Sequence, residues 1–142
     1  MPKLNPYLNF YGKAEEALNF YRSVFGGEFA GGVHRIGDAP GCENLSAEEK
    51  NRVMHIALPV GGDLLMASDI IPSMGHKLVE GNNNYISVFP ESREEANRLF
   101  NGLSAGGTVE MPLADQFWGD YYGSFTDKYG VKWMVNYSTQ NQ

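Results

Sequence analysis

The chain has 142 residues, 42% of them hydrophobic, enough for one ordinary domain or two half-sized units sharing a core, and wholesale disorder is excluded. Eleven basic residues against seventeen acidic ones give a net charge of −6, which argues against nucleic acid and anionic membrane surfaces as partners. No apolar run approaches the ~20 residues of a membrane span, the N-terminus has no apolar leader, and a single cysteine excludes a disulfide framework, so the composition predicts a cytoplasmic protein.

Tyr7–Phe10 reads as a short strand. From Ala14, the apolar residues Ala14, Ala17, Leu18, Tyr21, Val24 and Phe25 fall on one helical face, and Gly26-Gly27 stops the helix. A strand over Glu28–Ile36 is expected next. Residues 37–52 have weaker order, with Ser46-Ala47-Glu48-Glu49 reading as one helical turn with solvated glutamates. Cys42, among acidic neighbours, reads as an inert surface thiol. Val53–Val60 alternates, with Met54, Ile56, Leu58 and Val60 on one face and Val53, His55 and Ala57 on the other. Gly61-Gly62 turns this strand into Asp63–Ser68.

After a weakly ordered stretch, 69–82, the pattern starts again. Tyr85–Val88 is a strand, and Ser92-Arg93-Glu94-Glu95 is a capping box. The helix behind it carries Ala96, Leu99, Phe100 and Leu103 on one face and ends at Gly106-Gly107. Residues 110–120 have weaker order, and Gln116–Tyr122, which holds Phe117 and Trp118, shows no clean period. Tyr122–Thr126 then runs through Asp127-Lys128-Tyr129-Gly130 into Val131–Tyr137, with Trp133 on the core face and Lys132, Met134 and Asn136 on the other.

Glu15-Glu16-Ala17 returns as Glu94-Glu95-Ala96, and Gly26-Gly27 returns as Gly106-Gly107 at nearly the same spacing. Gly62-Asp63-Leu64-Leu65-Met66 returns as Gly130-Val131-Lys132-Trp133-Met134. The chain therefore reads as α+β, two repeated βαβββ modules at about 1–70 and 82–138, joined by a linker at about 71–81 into one domain, 1–142.

This duplicated unit resembles the vicinal oxygen chelate superfamily of glyoxalase I, bleomycin-resistance proteins and extradiol dioxygenases, and most of all its PhnB-like branch. Asn5-Pro6-Tyr7-Leu8-Asn9-Phe10, the stretch from Ala14 to Gly27, Met54-His55-Ile56-Ala57-Leu58, and Phe117-Trp118-Gly119 through Tyr137 carry the likeness. It implies an incomplete barrel whose concave faces enclose a ligand, and a homodimer. Enzymes of the family hold a divalent metal on the first and last strands of each module. Those positions carried over are Tyr7 or Pro6, Met66, Tyr85 or Asn84, and Met134, none of them His or carboxylate. No cofactor is therefore expected, although a ligand set of His55 with Asp69 or Glu110 stays open. Some relatives carry a demethylubiquinone methyltransferase label, but no glycine-rich adenosylmethionine loop follows a long parallel strand here.

The inward positions are Tyr7, Asn9, His55, Met66, Ser68, Tyr85, Ser87, Met134 and Asn136, with Trp118 on a loop as lid, stacking wall or dimer contact. His55 is the candidate general base, the competing reading being a half-buried histidine bonded to a neighbouring strand. Such a surface is aromatic, thioether-lined and modestly polar, which suits a flat organic ligand better than a phosphate. Two functions follow: a metal-independent binder of a small organic molecule, or a lyase or isomerase acting on a small carbonyl or aromatic substrate with His55 as base. A purely structural module is the third.

Overall fold

The computed structural model describes residues 2–139, and the chain divides between Val79 and Glu80 into two compact units. The first contains β1 (Tyr7–Phe10), α1 (Ala14–Phe25), β2 (His34–Arg35), α2 (Ala47–Lys50), β3 (Val53–Val60) and β4 (Asp63–Asp69). The second contains β5 (Ile86–Val88), α3 (Arg93–Ser104), β6 (Thr108–Asp115), β7 (Asp120–Thr126) and β8 (Lys132–Ser138). The sheets run β1-β4-β3-β2 and β5-β8-β7-β6. β1 pairs parallel with β4, and β5 with β8; the remaining pairs are antiparallel. A parallel link needs a crossover, and its helix is α1 in one unit and α3 in the other. The fold is α+β with a duplicated βαβββ module, as the repeat predicts.

Each helix covers one face of its own sheet. Ala14, Ala17, Leu18 and Tyr21 of α1 are buried with Ile56, Leu58, Leu65 and Ala67 of β3 and β4. Ala96, Leu99, Phe100 and Leu103 of α3 are buried with Phe125, Trp133 and Val135. A 3.6-residue stripe here meets period-2 strands. The helices are held differently at their starts. Ser92 Oγ accepts from the Glu95 N–H at 3.0 Å, and Glu95 Oε1 accepts from the Glu91 N–H at 3.0 Å. At α1, Lys13 makes no side-chain cap. Instead, buried Asp69 accepts from the Ala14 N–H through Oδ1 and from the Val53 N–H through Oδ2, both at 2.9 Å, tying helix to sheet.

Four local expectations change. The strand expected over Glu28–Ile36 shrinks to His34–Arg35, because Gly31 and Gly32 turn the chain at φ 73° and 75°. Met54 lies exposed while Val53 is buried. The register slips there, from His34 opposite His55 to Arg35 opposite Val53, and that bulge reverses the alternation at the start of β3. The stretch of weaker order that begins at 110 opens with most of the eight-residue edge strand β6, Thr108–Asp115. Almost all of it is exposed, it carries Pro112, and its register shifts twice, so neither alternation nor burial marks it. Cys42 is buried with Ile36 and Ile71 rather than lying on the surface.

Candidate functional site

The face of the first sheet opposite α1 gathers five of the predicted residues. Tyr7 registers with Met66 and Asn9 with Ser68 across β1 and β4, and Ala57 registers with Met66 across β3. His55, two residues before Ala57, shares that side. The Tyr7 and His55 rings lie nearly parallel, 28° apart with centroids separated by 6.0 Å. His34 stands directly opposite His55 on β2, the two imidazoles 6.4 Å apart. Tyr7 and Asn9 are exposed, and His55, Met66 and Ser68 half-buried, so the face is open, and its strands place no carboxylate on it among the described residues. Asp69 lies on the opposite, helix-covered side with both oxygens engaged, so it is not a partner for His55. His76 is structural: its Nδ1 accepts from the Ile71 N–H at 3.0 Å.

The corresponding face of the second sheet is differently built. Ser87 registers with Met134, so it stands where Tyr7 stands against Met66, and Tyr85 sits two residues earlier on the same side. Ser124 also registers with Met134, and Tyr122 with Asn136. Tyr85 donates its phenolic O–H to Glu110 Oε1 at 2.9 Å. Lys132 Nζ donates to Glu110 Oε2 at 2.6 Å and to Thr126 Oγ1 at 2.8 Å. The Lys132 hydrogen bond, helped by that of Tyr85, holds the Glu110 carboxyl below its ordinary range against the opposing effect of burial. The same bonds to Glu110 raise both Tyr85 and Lys132. With its proton committed to Glu110, Tyr85 meets a ligand as an acceptor. Trp118 packs edge-on against Tyr122 at 6.1 Å and donates its indole N–H to Asp120, which places it at the rim of this face. Asn136 Oδ1 is the one buried side-chain polar atom among the described residues without a hydrogen-bond partner.

Neither registered pair, Tyr7 with Met66 or Ser87 with Met134, offers a hard divalent ion the imidazole or carboxylate it requires. Among the described residues no three His, Cys, Asp or Glu side chains converge as a metal site. The donor set does not fit the usual metal of the resembling family. The alternation of β8 puts Lys132 on this face, but its partner is not legible in residue order, because Glu110 lies in a stretch of weaker order.

Residues 3–135 match the family described as the Glyoxalase/Bleomycin resistance protein/Dioxygenase superfamily. The chain is 32% identical over 143 aligned positions to protein YjdN of Escherichia coli K12, covering 94% of this chain and 93% of that one. Its structure is similar to that of protein PA1353 from Pseudomonas aeruginosa, with a TM-score of 0.84, 39% identity, and 97% and 98% of the two chains covered. It is also similar to a Bacillus cereus PhnB protein described as a putative 3-demethylubiquinone-9 3-methyltransferase, with a TM-score of 0.76, 29% identity, and 96% and 100% covered.

Proposed function

We propose that this chain, which belongs to the glyoxalase/bleomycin resistance/dioxygenase superfamily, binds a small, flat organic molecule on its open sheet faces without the family's usual divalent metal. One observation carries the reading: a tyrosine and a histidine ring lie nearly parallel on an open, acid-free face, beside a thioether and the amide and hydroxyl of Asn9 and Ser68. Rings and thioethers attract aromatic ligand surface by stacking and dispersion, while a few neutral polar groups orient it. The second face, taken by itself, carries Met134 and the Trp118–Tyr122 rim, which suit the same kind of ligand surface. The same reading has the protein acting as a homodimer.

The methyltransferase activity named for the Bacillus cereus protein is not carried over. Each sheet here has a single parallel pair, and its crossover helix is not opened by a glycine-rich loop.

Thermal shift and Trp118 fluorescence with indole, quinoline and 2-naphthol test the reading. Saturable stabilisation that weakens at least tenfold in Tyr7→Ala is the expected result. No stabilisation by any of the three, in wild type, overturns it. A second reading, His55 as general base of a lyase or isomerase, draws on His55's place on the open face. His55→Gln then abolishes turnover of a small carbonyl or aromatic substrate with the fold intact, whereas unchanged turnover removes His55 from the chemistry.

A further inference from the structure

Away from both open faces, where the first sheet meets the start of α1, lies a cavity of about 290 Å³ whose walls include Tyr11, Glu15, Arg35, Glu48, Arg52 and Asp69. Most of its charges are already matched. Arg35 forks both carboxylate oxygens of Glu15, at 2.9 and 3.0 Å, and also donates to the Asn51 carbonyl. Asp69 is committed to the Ala14 and Val53 N–H groups.

Arg52 is the exception. Its side chain is only 9% exposed, yet it makes one hydrogen bond, from Nη2 to Glu48 Oε1 at 3.1 Å, and lies 4.9 Å from the centroid of the Tyr11 ring. A guanidinium carries five N–H donors, so four here have no protein acceptor among the described residues. None of the Arg52 nitrogens is among the fully occluded atoms lacking a partner. Its unused donors therefore reach open space, and the cavity is the space at hand. The counter-ion holding the remaining donor is weakly placed: Glu48 is 81% exposed and stands on the four-residue α2.

We propose that this cavity is a binding site for a small monocarboxylate, whose carboxylate displaces Glu48 and takes the Arg52 guanidinium in a two-pronged grip. The charge count selects the class. Two arginines face three carboxylates, so an anion added on top meets net repulsion, whereas a monoanion exchanged for Glu48 leaves the sum unchanged. A dianion such as phosphate overshoots. Planar fork-to-fork pairing is the geometry a guanidinium reserves for carboxylates, and burial strengthens it. The volume lies at the small end of ligand pockets, leaving room for a short body against Tyr11 and Val53.

The experiment is an NMR titration of ¹⁵N-labelled protein with propionate at fixed ionic strength, with propionamide and sulfate as controls. Saturable shifts at the Gly12 and Val53 amides are expected from propionate, none from propionamide, and weaker ones from sulfate. Glu48→Gln binds propionate about fivefold tighter, because an exposed competing ion pair is gone. Arg52→Lys, checked for folding by circular dichroism, keeps the charge but loses the fork and binds at least tenfold more weakly. Absence of saturable shifts in both wild type and Glu48→Gln overturns the proposal, as does equal binding of sulfate or undiminished affinity in folded Arg52→Lys. Should Arg52→Lys not fold, an unchanged affinity in Glu48→Gln overturns it alone. None of these outcomes bears on the aromatic ligand proposed for the open faces.

Discussion

The first unit pairs β3 with a two-residue β2, whereas the second pairs β7 with an eight-residue β6. The long edge strand brings Glu110 onto the second face, where it joins Tyr85 and Lys132. The first face has no such strand, and His34 and His55 face each other there where the second has an ion pair. Duplication thus preserved the helix-covered core of each unit while the open faces diverged. Core positions are constrained by packing at crystal-like density, but an open face tolerates any side chain that water or a ligand can solvate.

The glycine pairs that end the two helices sharpen this contrast and give the largest expected effect. Gly27 sits at φ +87° with only the Pro59 carbonyl oxygen nearby, 3.9 Å from a would-be Cβ. Gly107 has no unusual φ, but a Cβ there would lie 2.2 Å from the Thr126 carbonyl oxygen. Gly107→Ala is expected to cost about 3 kcal/mol in urea unfolding because backbone must move. Gly27→Ala should cost about 1 kcal/mol, from the left-handed conformation alone. Equal costs would mean that the two helix ends are equivalent after all.

A smaller effect is expected from Glu110→Gln, and it depends on pH. Lys132 and Tyr85 hold the Glu110 carboxyl below its usual 4.5, so its contribution to stability is present above that value and lost as pH falls through the lowered one. Lys132 and Tyr85 are raised, so their contributions are present below their usual 10.5 and 10.0 and lost as pH rises past the raised values. The stability difference between wild type and Glu110→Gln should therefore form a plateau at neutral pH and shrink at both extremes. A difference independent of pH from 3 to 11 would show that the ion pair does not distinguish the second face.

Asn136→Leu should have the smallest effect, neutral or stabilising by up to about 1 kcal/mol, because its buried oxygen has no protein partner to lose. Clear destabilisation in thermal melts would mean that the occluded oxygen has a partner in solution.

Much of this was legible in residue order. The stripes of α1 and α3, the Ser92 cap and the alternation of β4 and β8 are local patterns, and they place Tyr7, Met66, Met134 and Asn136 on open faces without any knowledge of distant contacts. Other features escaped, three of them through their distant partners. The bulge at Met54 depends on how β2 pairs, β6 is an exposed edge strand containing proline, and the role of Asp69 lies in a bond to Ala14, 55 residues away. None leaves a periodic trace, because each is decided by a partner remote in sequence.

By itself, then, the sequence determined two related modules, the sides of β4 and β8 that meet a helix, and the lack of hard-metal ligands at the expected positions. Burial of apolar stripes is a local, periodic demand that residue order records directly. Only the tertiary structure decided which polar groups answer one another: Tyr85 and Lys132 on Glu110, Asp69 on α1, and Arg52 left with unused donors beside a cavity. Hydrogen bonds and ion pairs act over a few ångströms between residues far apart in the chain, so no local pattern announces them.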